Sequence, residues 1–283
     1  YKGWQYHFNY LNLTYLYYLM FVDVARKVFP GISDSVIGKM VAGAEVSIFR
    51  PEEELCRLAR QAHAAPQVAN VLRKEAPAAQ KIEELKKSEA GQTWLNEVEE
   101  TKNPWFYISC GAGFYYYEGS WLNKLDVPFG YLRGYIQRLD AGESIERSLS
   151  KLAAARDKIV TEYTKLIKTD EDRASFANAY QDSRTIYKYA EDHLFWVEHW
   201  FHTIWWDKVR KIGKVLVQRG VLKEVDDIFM FNRLEVTTLI EDTVTSWALG
   251  EGIPTLNWGN KVQRRRDILH AASKWSPIPA LGV

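Results

Sequence analysis

The sequence predicts an all-α fold, a multi-helix bundle with irregular aromatic-rich loops, on three observations. Apolar residues recur at three- and four-residue spacing through most of the chain, strand-like alternation is nearly absent, and helix caps and stops punctuate the periodic runs. Asn9 to Phe29 is predicted as one helix ended by Pro30-Gly31, and Ser33 or Asp34 caps a second one to about Glu45. Pro51-Glu52-Glu53-Glu54 makes a good first turn, with proline at the start and acids at the positive end of the helix dipole. Helices continue from Glu75 to Glu100, with Pro77 and Gly91 as punctuation. The charged, alanine-rich stretch 51–102 reads as a solvated hairpin with little chemistry in it.

Composition changes at Asn103. Trp105 to Tyr117 is aromatic, contains Gly111 and Gly113, and is predicted irregular or extended. Pro128 starts a helix to Leu139, broken by Ala141-Gly142, and Ser144 to Ile167 is amphipathic at helical spacing. Thr169-Asp170-Glu171-Asp172 opens a helix to about Ala190, and a further helix carries Glu191 to Arg219 and ends at Gly220. Asp226 to Phe231 is a short connector. Asn232 caps a helix to about Ala248 that Gly250 and Gly252 end, Val262 to Trp275 is the last helix, and Pro277 and Pro279 close the chain. The expected organisation is an N-terminal helical segment, 1–102, and a helical core, 103–283, in one continuous domain. The termini, Tyr1 without Met and Ala280-Leu281-Gly282-Val283, read as cuts from a longer protein.

Bulk properties exclude several classes. The net charge of +1 gives no electrostatic case for nucleic acid, and Arg264-Arg265-Arg266 reads as a solvated face or a contact to a neighbouring domain. Cys56 and Cys110 are the only cysteines, too few for a disulfide framework or a Cys-based zinc site. With no secretion signal, that points to a cytoplasmic protein. The most apolar stretch, Leu11 to Val22, falls short of the roughly 20 residues of a membrane span and reads as a buried helix. The outlier is aromatic content, 14 %, with 11 Trp and 16 Tyr; such rings fill cores and also line pockets for planar ligands.

Two constellations could carry chemistry. In Glu191-Asp192-His193-Leu194-Phe195-Trp196-Val197-Glu198-His199-Trp200-Phe201-His202, an α-helix would put Glu191, Phe195, Glu198 and His202 on one face. His199 would lie at its edge, with Asp192 and His193 around the other side. A histidine there could take a proton from a hydroxyl, with a carboxylate orienting it. The zinc-protease and di-iron helix spacings are absent, so no metal is expected, although a metal-dependent bundle enzyme using Glu198 and His202 is a third option. The plain alternative is polar residues pairing inside a bundle. In Ser109 to Trp121, glycines could let backbone N–H groups approach an anion, but Tyr116 stands where a third nucleotide-loop glycine would be and no Walker lysine follows. A flexible, aromatic-lined wall for a planar ligand is the functional reading there, and plain packing of the rings is the alternative.

Lys214 to Phe231 followed by Asn232 to Val236 resembles the helix–turn–Asp-Ile-Phe stretch in the middle domain of phosphoenolpyruvate-utilising enzymes, such as phosphoenolpyruvate synthase-like proteins and rifampin phosphotransferase. Glu191 to Trp200, and Gly113-Phe114-Tyr115 with Ser120-Trp121, look closer still to the phenylphosphate synthase-like and hydroxyacetophenone kinase branch of aromatic catabolism. Trp275 to Gly282 resembles the junction toward a following domain. The resemblance covers about 103–283 well and 1–102 only by helical character.

It implies a transferase in which an ATP-grasp domain phosphorylates a histidine on a swivelling domain, which carries the phosphoryl group to an acceptor held by the helical domain. No ATP-grasp loop or carrier histidine is seen here, so 103–283 is expected to be the acceptor-binding core, with no cofactor of its own. ATP and Mg²⁺ would belong to the partner ATP-grasp domain or subunit, and the substrate would be a small phenolic or other planar hydroxyl compound. His193 and His199 are the expected bases or hydrogen-bond donors, and Glu191 and Glu198 the orienting acids. Phe114, Tyr116, Trp121, Trp196, Trp200 and His202 are the expected substrate contacts. The competing reading is a non-catalytic helical interaction domain.

Overall fold

A computed structural model describes residues 2–249 and 255–276. It is 76 % helical, with twelve α-helices and no strand among the described residues. The chain divides into two compact units, Tyr1–Thr203 and Ile204–Val283.

In the first unit, α1 (Lys2–Val28) begins earlier than the periodicity predicts, and α2 (Asp34–Val41) starts where Ser33 accepts a hydrogen bond from the Val36 N–H. Then come α3 (Arg50–Ala64), α4 (Pro66–Arg73), α5 (Ala78–Leu85) and α6 (Glu89–Trp105), the last capped by Ser88. An irregular segment follows up to α7 (Asp126–Asp140). After α8 (Leu149–Lys165), α9 (Asp170–His193) is capped by Thr169. The break expected after Ala190 does not occur: α9 runs into a π-helical segment, Leu194–Phe201, and then into α10 (His202–Gln218).

Two apolar cores hold this unit. One joins α3 to α7 around Leu55, Leu58, Leu72, Trp94, Phe106 and Leu132, with the Trp94 indole N–H donating to Leu58 O at 3.0 Å. This corrects the reading of 51–102 as a solvated hairpin. Most of its charges lie on the outer face, Lys81 being the buried exception, while the apolar positions between them supply most of a shared core that also crosses the boundary expected at 102/103. The other core packs α1 and α2 against α8 and α9 around Phe21, Ile37, Met40, Ile167 and Phe176. The stretch 11–22 is buried on one face only: Tyr15, Leu16, Leu19 and Met20 are exposed, because the packing covers one side of a helix that is apolar nearly all round.

The second unit holds the rest of α10, a 3₁₀ turn Val225–Met230, α11 (Arg233–Leu249) and α12 (Thr255–Ala272). Leu216, Ile228, Phe231, Leu239 and Trp258 are its core. Asp227, buried, closes a capping box with Glu224 and accepts from Arg266 Nη2 at 2.6 Å. Arg265 makes a two-pronged contact with Glu235 at 2.6 and 2.7 Å and holds that carboxyl well below the usual carboxylate range. Two arginines of the basic run are therefore paired within their own unit. The expected stops at Gly250 and Gly252, and Pro277 to Gly282 of the junction, lie outside the described residues.

Candidate functional site

The site is built from three stretches of the first unit: the start of α1, the irregular segment 106–125 and the π-helical segment. In an α-helix, residues five apart sit about 140° away from each other around the axis. The i→i+5 bonding of a π segment widens the turn and brings such residues onto one face. His193 and Glu198 are five apart, and His193 Nε2 lies 3.3 Å from Glu198 Oε1. The α-helical wheel placed His193 on the far side from Glu198, so this is a correction, and its cause is the π geometry. His7, from α1, brings its Nε2 to 3.8 Å from the same oxygen, and its ring centroid lies 4.8 Å from that of His193. His7 and Glu198 are buried and His193 nearly so. Burial pushes the His7 imidazole below its ordinary pKa and so favours its neutral form; His193 and His202 reinforce this, and Glu198 opposes it.

The other predicted residues divide. His199 Nδ1 accepts the Ser109 N–H at 3.0 Å. That lone pair is engaged, and burial lowers the ring's pKa, so His199 fastens the loop and does not stand ready as a base. His202 Nδ1–H donates to Gly113 O at 2.7 Å and to Glu198 O at 3.0 Å, and Thr203 Oγ1 donates to Tyr107 O at 2.8 Å. These side chains staple 107–113 to the helix. Glu191 interacts with the Tyr187 hydroxyl one turn back and helps burial raise that phenol's pKa. Asp192 accepts the Ser47 N–H at 2.6 Å, and the Trp196 indole N–H donates to Ser47 Oγ at 3.0 Å.

Trp196 is partly exposed, with its ring near Trp105 and Trp200, while the Trp200 indole nitrogen is buried with no hydrogen-bond partner. Phe114 is exposed, with its ring 6.2 Å from His202. Tyr116 meets Tyr117 edge-on. Trp121 is a correction: it packs at 7 % exposure against Phe106 in the α3–α7 core and is not placed to touch a ligand.

The glycine loop does hold an anion, and that anion is its own. The Glu118 carboxylate accepts from Ser109 Oγ (2.9 Å), Ala112 N (3.0 Å) and Gly113 N (2.8 Å). Burial pushes this carboxyl up, but these bonds and one from the Tyr115 N–H outweigh it and hold the group below the ordinary range. Gly113, at φ +88°, lies so close to the helix that a Cβ would meet Glu198 O at 2.6 Å. An isolated bridge, Ser109 to Ser120, closes the loop.

His7, His193 and Glu198 offer ligand atoms all within 4.8 Å of one another. His202, weighed with Glu198 from sequence, directs its Nδ1–H at the backbone carbonyls of Gly113 and Glu198. A concavity of about 360 Å³ lies elsewhere, between α3 and Ile145–Arg147, lined by Arg50, Glu54, Arg57, Arg60 and Glu146 among others. Arg50, Arg57 and Arg60 pair there with Glu54 and Glu146, and Arg147 lies over the Phe49 ring. No protein-family model, curated protein or solved structure matches the chain.

Proposed function

We propose that the chain is the acceptor-binding helical domain of an ATP-dependent phosphotransferase, and that the largely buried His193–Glu198 pair receives the proton of a phenolic or other planar hydroxyl acceptor. The 3.3 Å approach of His193 Nε2 to Glu198 Oε1 carries this reading. With Nε2–H donating to the carboxylate, the tautomer is fixed and Nδ1 is the basic nitrogen. As the acceptor oxygen bonds to phosphorus and the P–N bond to a carrier histidine breaks, the hydroxyl proton passes to His193 Nδ1. Phosphoryl transfer asks for positioning and charge stabilisation more than covalent help, so one oriented base in a largely dry wall is sufficient. The reading gains support from the meeting at the site of two stretches that carry the resemblance, Gly113-Phe114-Tyr115 and Glu191 to Trp200: a Cβ on Gly113 would lie 2.6 Å from Glu198 O. ATP, Mg²⁺ and the carrier histidine belong to partner domains in this scheme.

Phenols titrated into the chain, followed by Trp fluorescence, should give a saturable change that His193→Ala weakens. In the assembled enzyme, His193→Ala should lower transfer to the acceptor by about 10²–10⁴-fold while phosphorylation of the carrier continues. Turnover within a few-fold of the parent would remove the base role. A second reading, a non-catalytic interaction domain, is favoured by one observation: the exposed run Tyr15, Leu16, Leu19 and Met20 on α1. Absence of phenol binding together with capture of a partner domain through α1 would select it.

A further inference from the structure

The geometry points to a metal site: we propose that His7, His193 and Glu198 bind one divalent transition ion of the zinc type, leaving a fourth position open. Two imidazole nitrogens converge on one carboxylate oxygen, at 3.3 Å from His193 and 3.8 Å from His7. At metal–ligand lengths of about 2.0–2.2 Å, the ligands of a tetrahedral zinc ion stand roughly 3.4 Å apart. These two separations bracket that spacing, and no pair of the three ligand atoms exceeds 4.8 Å. Closing the set therefore asks for side-chain adjustments on the order of an ångström.

The chemistry of the set selects the ion. Mg²⁺ and Ca²⁺ prefer all-oxygen shells, whereas two imidazoles and a carboxylate suit zinc and its first-row neighbours. Three protein ligands with a vacancy is the pattern of catalytic zinc sites; structural ones are closed by four. The site is also braced: the hydrogen bonds from His202 Nδ1 to Glu198 O and Gly113 O hold the backbone of the carboxylate ligand in place. All three ligands come from the first unit.

An ion on His193 Nε2 takes the place of the proton that the acceptor reading puts on that nitrogen. The histidine–glutamate pair and the metal site are thus two states of the same side chains, and the site does not depend on the acceptor reading. With the ion present, the open position would take a hydroxyl or water oxygen and lower its pKa.

The test is calorimetric titration of the chelator-stripped chain with Zn²⁺, with bound metal measured after dialysis. One ion per chain is expected, unaffected by millimolar Mg²⁺. His7→Ala and Glu198→Gln should each weaken binding at least about 100-fold with far-ultraviolet circular dichroism unchanged, and His63→Ala, in α3, should bind as the parent does. Should a variant unfold, Co²⁺ added to the parent chain reads the same site. An intense visible band of a four-coordinate ion supports it, and the weak spectrum of the hydrated ion overturns it. No stoichiometric Zn²⁺ uptake, or uptake that survives both ligand substitutions, also overturns it. Phenol binding by the stripped chain is measured separately, so loss of one reading leaves the other standing.

Discussion

Glu118 and Gly113 show how single residues shape this site. A carboxylate that collects a hydroxyl and backbone N–H donors performs inside the chain what a bound anion would do from outside, and it blocks the loop for phosphate. Its pKa is held below the ordinary value of 4.5, so the native state binds fewer protons than the unfolded chain across that interval. The stabilisation is fully present above the ordinary value and is lost as pH falls through it toward the folded value. Glu118→Gln should therefore be less stable than the parent near neutral pH, and urea melts at successively lower pH should show the gap narrowing below about pH 4.5. Gly113→Ala should cost more than the roughly 1–2 kcal/mol of a left-handed backbone, because its Cβ would also strike Glu198 O. Gly134→Ala, in the middle of α7 with open space around it, should instead gain about 0.5–1 kcal/mol in the same measurement. The sequence flagged the glycines of 109–121 as places where backbone could approach an anion; which anion depended on where Glu118 folds back.

At the scale of elements, the π segment and α1 decide what the site contains. Helix caps and proline or glycine stops made most helices legible: Ser33, Pro51, Thr169 and Asn232 all act near starts where they were expected. The π segment was not legible, because an α-helical wheel assumes one residue spacing throughout, and Leu194–Phe201 departs from it. That departure is why His193 and Glu198, read as opposite, meet. His7 could not be found either, since its partners are more than 180 residues away and nothing local in an aromatic helix marks it. Its position depends on the packing of α1 on α9 through Phe21 and Phe176, whose ring centroids lie 5.6 Å apart. Phe176→Ala should remove about 3–5 kcal/mol of stability. If the helix pair is what places His7, the same variant should lose Zn²⁺ binding at urea concentrations where the α3–α7 core, followed by Trp94 fluorescence, remains folded.

For the whole molecule, fold class was readable because periodicity is summed over the full length, whereas division into units depends on which apolar faces meet. The composition change at Asn103 marks an irregular loop, while the compact units part after Thr203. Function is less exposed to sequence reading, since in the proposed scheme the chemistry is spread over several domains, of which this chain would supply one. The glycine-rich segment is filled by Glu118, and the arginines of the α3 concavity and of α12 are largely paired with Glu54, Glu146, Glu235 and Asp227. A triphosphate would have to compete with those carboxylates, and the two-pronged Arg265–Glu235 pair and the Arg266 pair with buried Asp227 are the costly ones to separate. The isolated chain should therefore show no heat of ATP binding at millimolar nucleotide with Mg²⁺, and no incorporation of label from γ-labelled ATP. Supplying a phosphorylated carrier domain should restore transfer to a phenolic acceptor without ATP ever contacting this chain. Saturable ATP binding by the chain alone would place a nucleotide site within it and end the division of labour proposed here.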